Sequence, residues 1–227
     1  MRVQMAFRVL AATVVFLVAA APGVAADKPV TIVALGDSLT AGLGLAASDA
    51  FPAKLQRALA AKGVAATVVN AGVSGDTTSG GLARVDWSVP AGTDAVILEL
   101  GANDALRGID PAVAKRALDG LLSKLTQRGI PVLLCGMLSP PNLGVDYGRT
   151  FNAIYPDLAK TYGTLLYPFF LDGVVTDRKL NQGDGLHPTA AGVDVIVTRI
   201  LPRVEELIAR VRAKGGAASG AANQPDK

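Results

Sequence analysis

One cysteine in 227 residues leaves this chain no partner for an internal disulfide, even in an oxidising compartment. That residue, Cys135, lies in the apolar run Pro131-Val132-Leu133-Leu134-Cys135-Gly136, which reads as a buried strand, so it is expected to pack rather than react. There is one histidine, His187, and no cysteine–histidine cluster, which falls short of the usual zinc sites. No metal and no other cofactor is expected. An excess of one charge sign is also missing. Of 22 basic and 19 acidic residues, two basic ones, Arg2 and Arg8, belong to a leader, so the remainder holds 20 against 19, a net +1. That balance gives no electrostatic reason to bind nucleic acid. Long apolar runs are scarce too. The longest, over residues 9–21, spans about 13 residues and is too short to cross a bilayer comfortably. With the basic start before it and the small residues of Pro22-Gly23-Val24-Ala25-Ala26 behind it, it reads as a secretory signal peptide over residues 1–26. The mature protein is expected to be periplasmic or secreted, with no stable membrane anchor.

What remains alternates regularly between strand and helix signals. Apolar, β-branched runs predict strands near 30–35, 67–71, 95–100, 131–135 and 165–168. Helical spacing predicts helices near 50–62, 78–86, 111–128, 150–162 and 189–210. The clearest is 111–128, with Asp110 as cap, Pro111 in the first turn, Gly129 at the end, and Ala114, Leu118, Leu121, Leu122 and Leu125 on one face. Pro202 is expected to kink or split the last helix. Strands alternating with helices imply parallel βαβ units covered on both faces. The expected fold is a three-layer α/β/α sandwich on a five-stranded parallel sheet, flavodoxin-like, in the order 2-1-3-4-5. One domain is expected over 27–212, followed by a disordered tail, 213–227, that has little to bury.

Chemistry gathers at strand ends. Gly36-Asp37-Ser38-Leu39 follows the first strand, where open α/β sheets place ligands, and a helix beginning near Ser38 would favour an anion there. A serine hydroxyl needs an adjacent base, and the base needs a carboxylate to hold its tautomer. Asp184-Gly185-Leu186-His187-Pro188 supplies both, with an aspartate three residues before the histidine and a proline restricting the histidine backbone. Two further turns follow the next two strands. Gly72-Val73-Ser74-Gly75-Asp76-Thr77 offers a backbone that a substrate can approach closely, and Gly101-Ala102-Asn103-Asp104 offers a side-chain amide donor. Taken singly each is ordinary turn chemistry; together they converge on one sheet edge. The Gly-x-Ser-x-Gly elbow is absent, since residue 40 is Thr, which argues against the α/β-hydrolase fold. Gly42-Leu43-Gly44 lacks the third glycine of a dinucleotide fingerprint.

These blocks resemble the GDSL-type, or SGNH, hydrolases. Gly36-Asp37-Ser38-Leu39 matches the family's first block, Gly75 its second, Gly101-Ala102-Asn103-Asp104 its third and Asp184 through His187 its last. Gly80-Gly81-Leu82-Ala83-Arg84, Asn103 through Gly108, Tyr147-Gly148 and Ile154-Tyr155-Pro156 extend the likeness towards the family's periplasmic multifunctional esterases. The resemblance implies a secreted serine acyl hydrolase acting on small-molecule esters, thioesters or lysophospholipids. It makes Ser38 nucleophile, His187 base and Asp184 the orienting acid, with the oxyanion hole from Ser38, Gly75 and Asn103, and Leu106 as a substrate contact. Asp172 and Asp177 are the alternative acids; Asp37 and Asp104 are expected to hold their loops by accepting hydrogen bonds. A carbohydrate acetylesterase of the same superfamily and a non-catalytic acyl-binding protein are the rival functions. The stretch Met137 to Gly144 keeps the family's Pro-Asn pair with different neighbours, so acyl-chain preference does not carry over.

Overall fold

A computed structural model describes residues 28–221, with side chains through 215. The leader and the last six residues of the tail lie outside the described residues. Five parallel strands form one sheet: β1 (Val30–Gly36), β2 (Ala66–Gly72), β3 (Ala95–Glu99), β4 (Val132–Cys135) and β5 (Leu165–Tyr167), in the spatial order β2-β1-β3-β4-β5. This is the expected order. Every residue of β3 and β4 is buried, as helices on both faces require, and each fully buried Val, Ile or Leu there contributes roughly 1.5–3 kcal/mol over an exposed one.

The long helices are α2 (Phe51–Ala61), α3 (Thr78–Ser88), α5 (Pro111–Gln127), α6 (Val145–Tyr162) and α7 (Ala190–Ala221); α1 (Ser38–Ala41) and α4 (Ala102–Leu106) are short. α2 packs on α7, while α3 packs on α5 and α5 on α6. In α5 the Asp110 carboxylate caps the Ala112 N–H at 2.8 Å, the five expected apolar residues are buried, and Gly129 ends the turn at φ +67°.

One expectation about α7, that Pro202 could split it, is corrected. Pro202 does not divide it: Val193, Ile196, Val197 and Ile200 before the proline, and Val204, Leu207 and Ile208 after it, all stay buried while Pro202 itself is exposed. Burial on both sides outweighs the one backbone bond the proline removes. α7 continues to Ala221, beyond the expected domain end at 212. α6 starts at Val145, five residues before the expected 150, with Asp146 placed favourably in its first turn.

Register places the site. Gly36 on β1 lies opposite Gly72 on β2 and Glu99 on β3, so the three loops that follow leave the sheet at one level.

Candidate active site

The first of these loops carries Ser38. Asp37 caps α1, its Oδ1 accepting the Leu39 N–H at 3.0 Å, and Ser38 is the first helical residue, 8 % exposed. Gly36 precedes them in a space bounded by Thr40 Oγ1 and by the side chain and backbone carbonyl of Glu99; a Cβ at that position would overlap all three. Burial is the main reason the Asp37 carboxyl is pushed up to about 6; the capping N–H opposes it.

The late loop brings the histidine to the serine. Ser38 Oγ is 2.8 Å from His187 Nε2, and His187 Nδ1 is 2.6 Å from Asp184 Oδ2. The other Asp184 oxygen accepts the Leu186 N–H at 2.9 Å and the His187 N–H at 3.0 Å. A carboxylate on Nδ1 selects the tautomer with the proton there, leaving Nε2 to accept from the Ser38 hydroxyl. The hydrogen bond to the His187 ring, followed by the two backbone N–H bonds, holds the Asp184 carboxyl down at about 2. Two bonds from Gln182 Nε2, to Pro188 O at 3.0 Å and to Leu43 O at 2.8 Å, tie this loop to the segment behind α1. The alternative acids are engaged elsewhere: Asp172 pairs with Arg199 at 2.6 Å and Asp177 accepts the Lys179 N–H at 2.8 Å.

The second and third loops bring their groups to the same edge. Gly75 has φ +82°, a left-handed conformation that favours glycine, and its carbonyl accepts from Arg107 Nη2 at 2.8 Å. Neither the Ser38 nor the Gly75 N–H donates to another protein group among the described residues. Asn103 sits in the first turn of α4. Its Nδ2 donates to Asp76 O at 2.9 Å and, at a longer 3.2 Å, to Asp37 Oδ2. An oxyanion using this amide therefore shares or displaces the weaker bond to Asp37. Asp104 does hold its loop, accepting the Thr78 N–H at 2.9 Å and hydroxyl at 2.7 Å.

Sequence reasoning missed the residue that joins the first two loops. Arg84, on α3 and 6 % exposed, donates to Asp76 Oδ2 at 2.6 Å, to Gly36 O at 2.8 Å and to Ala71 O at 2.8 Å. Removing one partner of a buried hydrogen-bonded ion pair costs about 3–5 kcal/mol, so Arg84 stabilises the frame on which the site stands. Its only signal in the sequence was its place in a motif of the family resemblance.

Ser38 and His187 open onto a cleft of about 370 Å³ whose walls are mostly apolar, including Leu39, Ala105, Leu106, Met137 and Phe169. Leu106, half-exposed, is among the residues that line the cleft. Residues Met137 through Pro141, from the stretch that departs from the family pattern, also line it.

A family model described as "GDSL-like Lipase/Acylhydrolase family" matches residues 34–195. The chain is 40 % identical over 179 residues to "Esterase TesA" of Pseudomonas aeruginosa, an alignment covering 78 % of this chain and 89 % of that protein. It is 36 % identical over 179 residues to "Thioesterase 1/protease 1/lysophospholipase L1" of Escherichia coli, covering 78 % and 85 % respectively. Among solved structures, AlinE4, titled an SGNH-hydrolase family esterase, superposes with a TM-score of 0.68 at 47 % identity, covering 79 % of this chain and 96 % of that one.

Proposed function

From the premise that this chain belongs to the GDSL-like lipase/acylhydrolase family and is an ester hydrolase, we propose that it cleaves carboxylic esters and thioesters through an acyl-enzyme on Ser38. One observation carries the reading: an unbroken relay from Ser38 Oγ through His187 to Asp184 at the mouth of an apolar cleft. As the Ser38 oxygen bonds to the acyl carbon, its proton passes to His187 Nε2, and Asp184 stabilises the imidazolium. Collapse of the tetrahedral adduct expels the alcohol or thiol, which takes that proton. A water then gives a proton to His187 and its oxygen to the acyl carbon, and the acid leaves as Ser38 is reprotonated.

The Ser38 and Gly75 N–H groups and the Asn103 amide are the donors for the oxyanion. Asn103→Ala is expected to lower kcat by roughly 10²–10³ with KM little changed, since the bond is made in the transition state rather than to the ground-state ester. Steady-state kinetics on one soluble ester decides it, and a loss confined to KM would make Asn103 a substrate-binding residue instead.

The cleft supports an acyl chain as the group recognised, which places thioesters and lysophospholipids beside simple esters as proposed substrates. p-Nitrophenyl esters of graded chain length, palmitoyl-CoA and a lysophospholipid, each run against Ser38→Ala, test this. Greater activity on acetylated sugars than on longer acyl esters would turn the reading towards a carbohydrate esterase. We further infer export with removal of residues 1–26, on the strength of the basic start, apolar core and small-residue site. Intact mass of periplasmic or secreted protein checks this; a mature chain that retains Arg2 would sink it.

A further inference from the structure

Glu99 is a buried carboxyl that the proposed reaction does not use. It closes β3 opposite Gly36 on β1 and Cys135 on β4, and it is fully buried. Its Oε2 accepts the Thr40 hydroxyl at 2.7 Å and the Asp37 N–H at a long 3.4 Å, while Oε1 meets no donor. Both partners belong to the turn that carries Ser38: Asp37 precedes it and Thr40 lies two residues after it. The titratable or charged groups around Glu99 are Asp37 ahead of α1, the Cys135 thiol on β4, the Tyr155 hydroxyl on α6 and, across Gly36, the Arg84 guanidinium on α3. Arg84 is committed to Asp76 and to the Gly36 and Ala71 carbonyls, and none of its hydrogen bonds goes to Glu99.

An ionised Glu99 would place a charge in an apolar interior with one oxygen bare of donors, beside a second buried carboxylate. A neutral carboxyl with one unpartnered oxygen costs a few kcal/mol there, whereas an unpaired ion costs several times more. We propose that Glu99 is a positioning residue that works as the neutral acid, holding Thr40 and the Asp37 N–H so that the first turn of α1 presents Ser38 to His187, and leaving Asp37 as the one carboxylate beneath the nucleophile. Burial first, and then the Asp37 charge, push the Glu99 carboxyl well above the usual range, in keeping with this arrangement. The inference rests on Ser38 as nucleophile.

Glu99→Gln tests it, because glutamine keeps the shape and one acceptor but cannot carry charge. Measured with a p-nitrophenyl ester, this variant should keep kcat within about three-fold, and the acidic limb of kcat/KM should stay within roughly 0.2 pH. Glu99→Ala, and Thr40→Val from the other side of the bond, should each lower kcat about ten-fold or more at unchanged KM. Two results would overturn the proposal. One is a Glu99→Gln loss as large as that of Glu99→Ala, or an acidic limb moved down by about one pH unit, as removal of a real negative charge behind the Ser38 turn would cause. The other is a Thr40→Val or folded Glu99→Ala protein with lowered Tm and normal kcat, which would leave Glu99 a purely structural role. If Glu99→Ala does not fold, Glu99→Gln and Thr40→Val still decide. Turnover that survives Ser38→Ala in the same assay would instead strike at the nucleophile itself.

Discussion

Ser38→Ala and His187→Ala are each expected to lower kcat by about 10⁴–10⁶ while leaving the fold intact, and the double variant is expected to be hardly slower than either single one. Serine and base act on one proton, so once either is gone the other has nothing to do. The structure supplies the condition for that unity in the 2.8 Å contact between Ser38 Oγ and His187 Nε2. Neither substitution removes a major packing contact: Ser38 sits at a helix start whose cap is the Asp37 side chain, and the His187 backbone stays tied to Gln182 N at 2.7 Å. Far-ultraviolet circular dichroism and Tm should therefore change little. An active-site serine probe should label Ser38 and no other residue. Losses that multiply in the double variant would show that the two groups contribute separately and that the relay is not the engine of the reaction.

The fold and the site were not equally legible in the sequence. Strand positions followed from alternation, since buried parallel strands such as Val30–Gly36 and Ala95–Glu99 are mostly apolar on both faces and stand out against the charged helices between them, and right-handed crossovers then gave the order. α4 was missed because its five residues are too few to show a helical period, although it is the element that carries Asn103. Ser38, His187 and Asp184, which the structure brings within hydrogen-bond distance, stood out as candidates because each lies in a short turn with unusual neighbours. The groups that hold them did not. Arg84 bonds to carbonyls of β1 and β2, Gly36 O and Ala71 O, and Glu99 reads as one polar residue at the end of a strand. Their importance comes from register and from long-range hydrogen bonds, which leave no local pattern. The cleft has the same character: Phe169, Leu171 and Val175 reach it from the segment after β5, which has no periodicity to announce it.

The acid limb of activity is expected to pass through Asp184 without being its own titration. Its folded-state carboxyl is lowered to about 2 from an ordinary 3.8, so any stability it contributes is present above the ordinary value and is lost only as pH falls through about 2. Between mildly acid and alkaline pH it stays a carboxylate. A loss of kcat/KM in the weakly acid range is therefore not the titration of Asp184: the reaction needs a free Nε2 on His187 to accept the Ser38 proton, and Asp37, at about 6, is a carboxyl placed to contribute. Asp184→Asn separates these. The asparagine carbonyl can still accept the Leu186 and His187 N–H bonds, so the loop should hold its shape. Its amide, however, turned towards Nδ1, would favour the opposite tautomer and leave Nε2 presenting a proton to Ser38 instead of a lone pair. The kcat ceiling should fall by up to about 10⁴, the size of loss such a change produces in a comparable triad. The midpoint of the acidic limb should move to lower pH, because the charge that favoured the imidazolium is gone. A limb that stays in place while kcat collapses would give that titration to Asp37. Near-normal kcat in Asp184→Asn would show that Asp184 is not the orienting acid, and would send the search back to Asp172 and Asp177 in some rearranged loop, since here they are bound to Arg199 and to the Lys179 N–H.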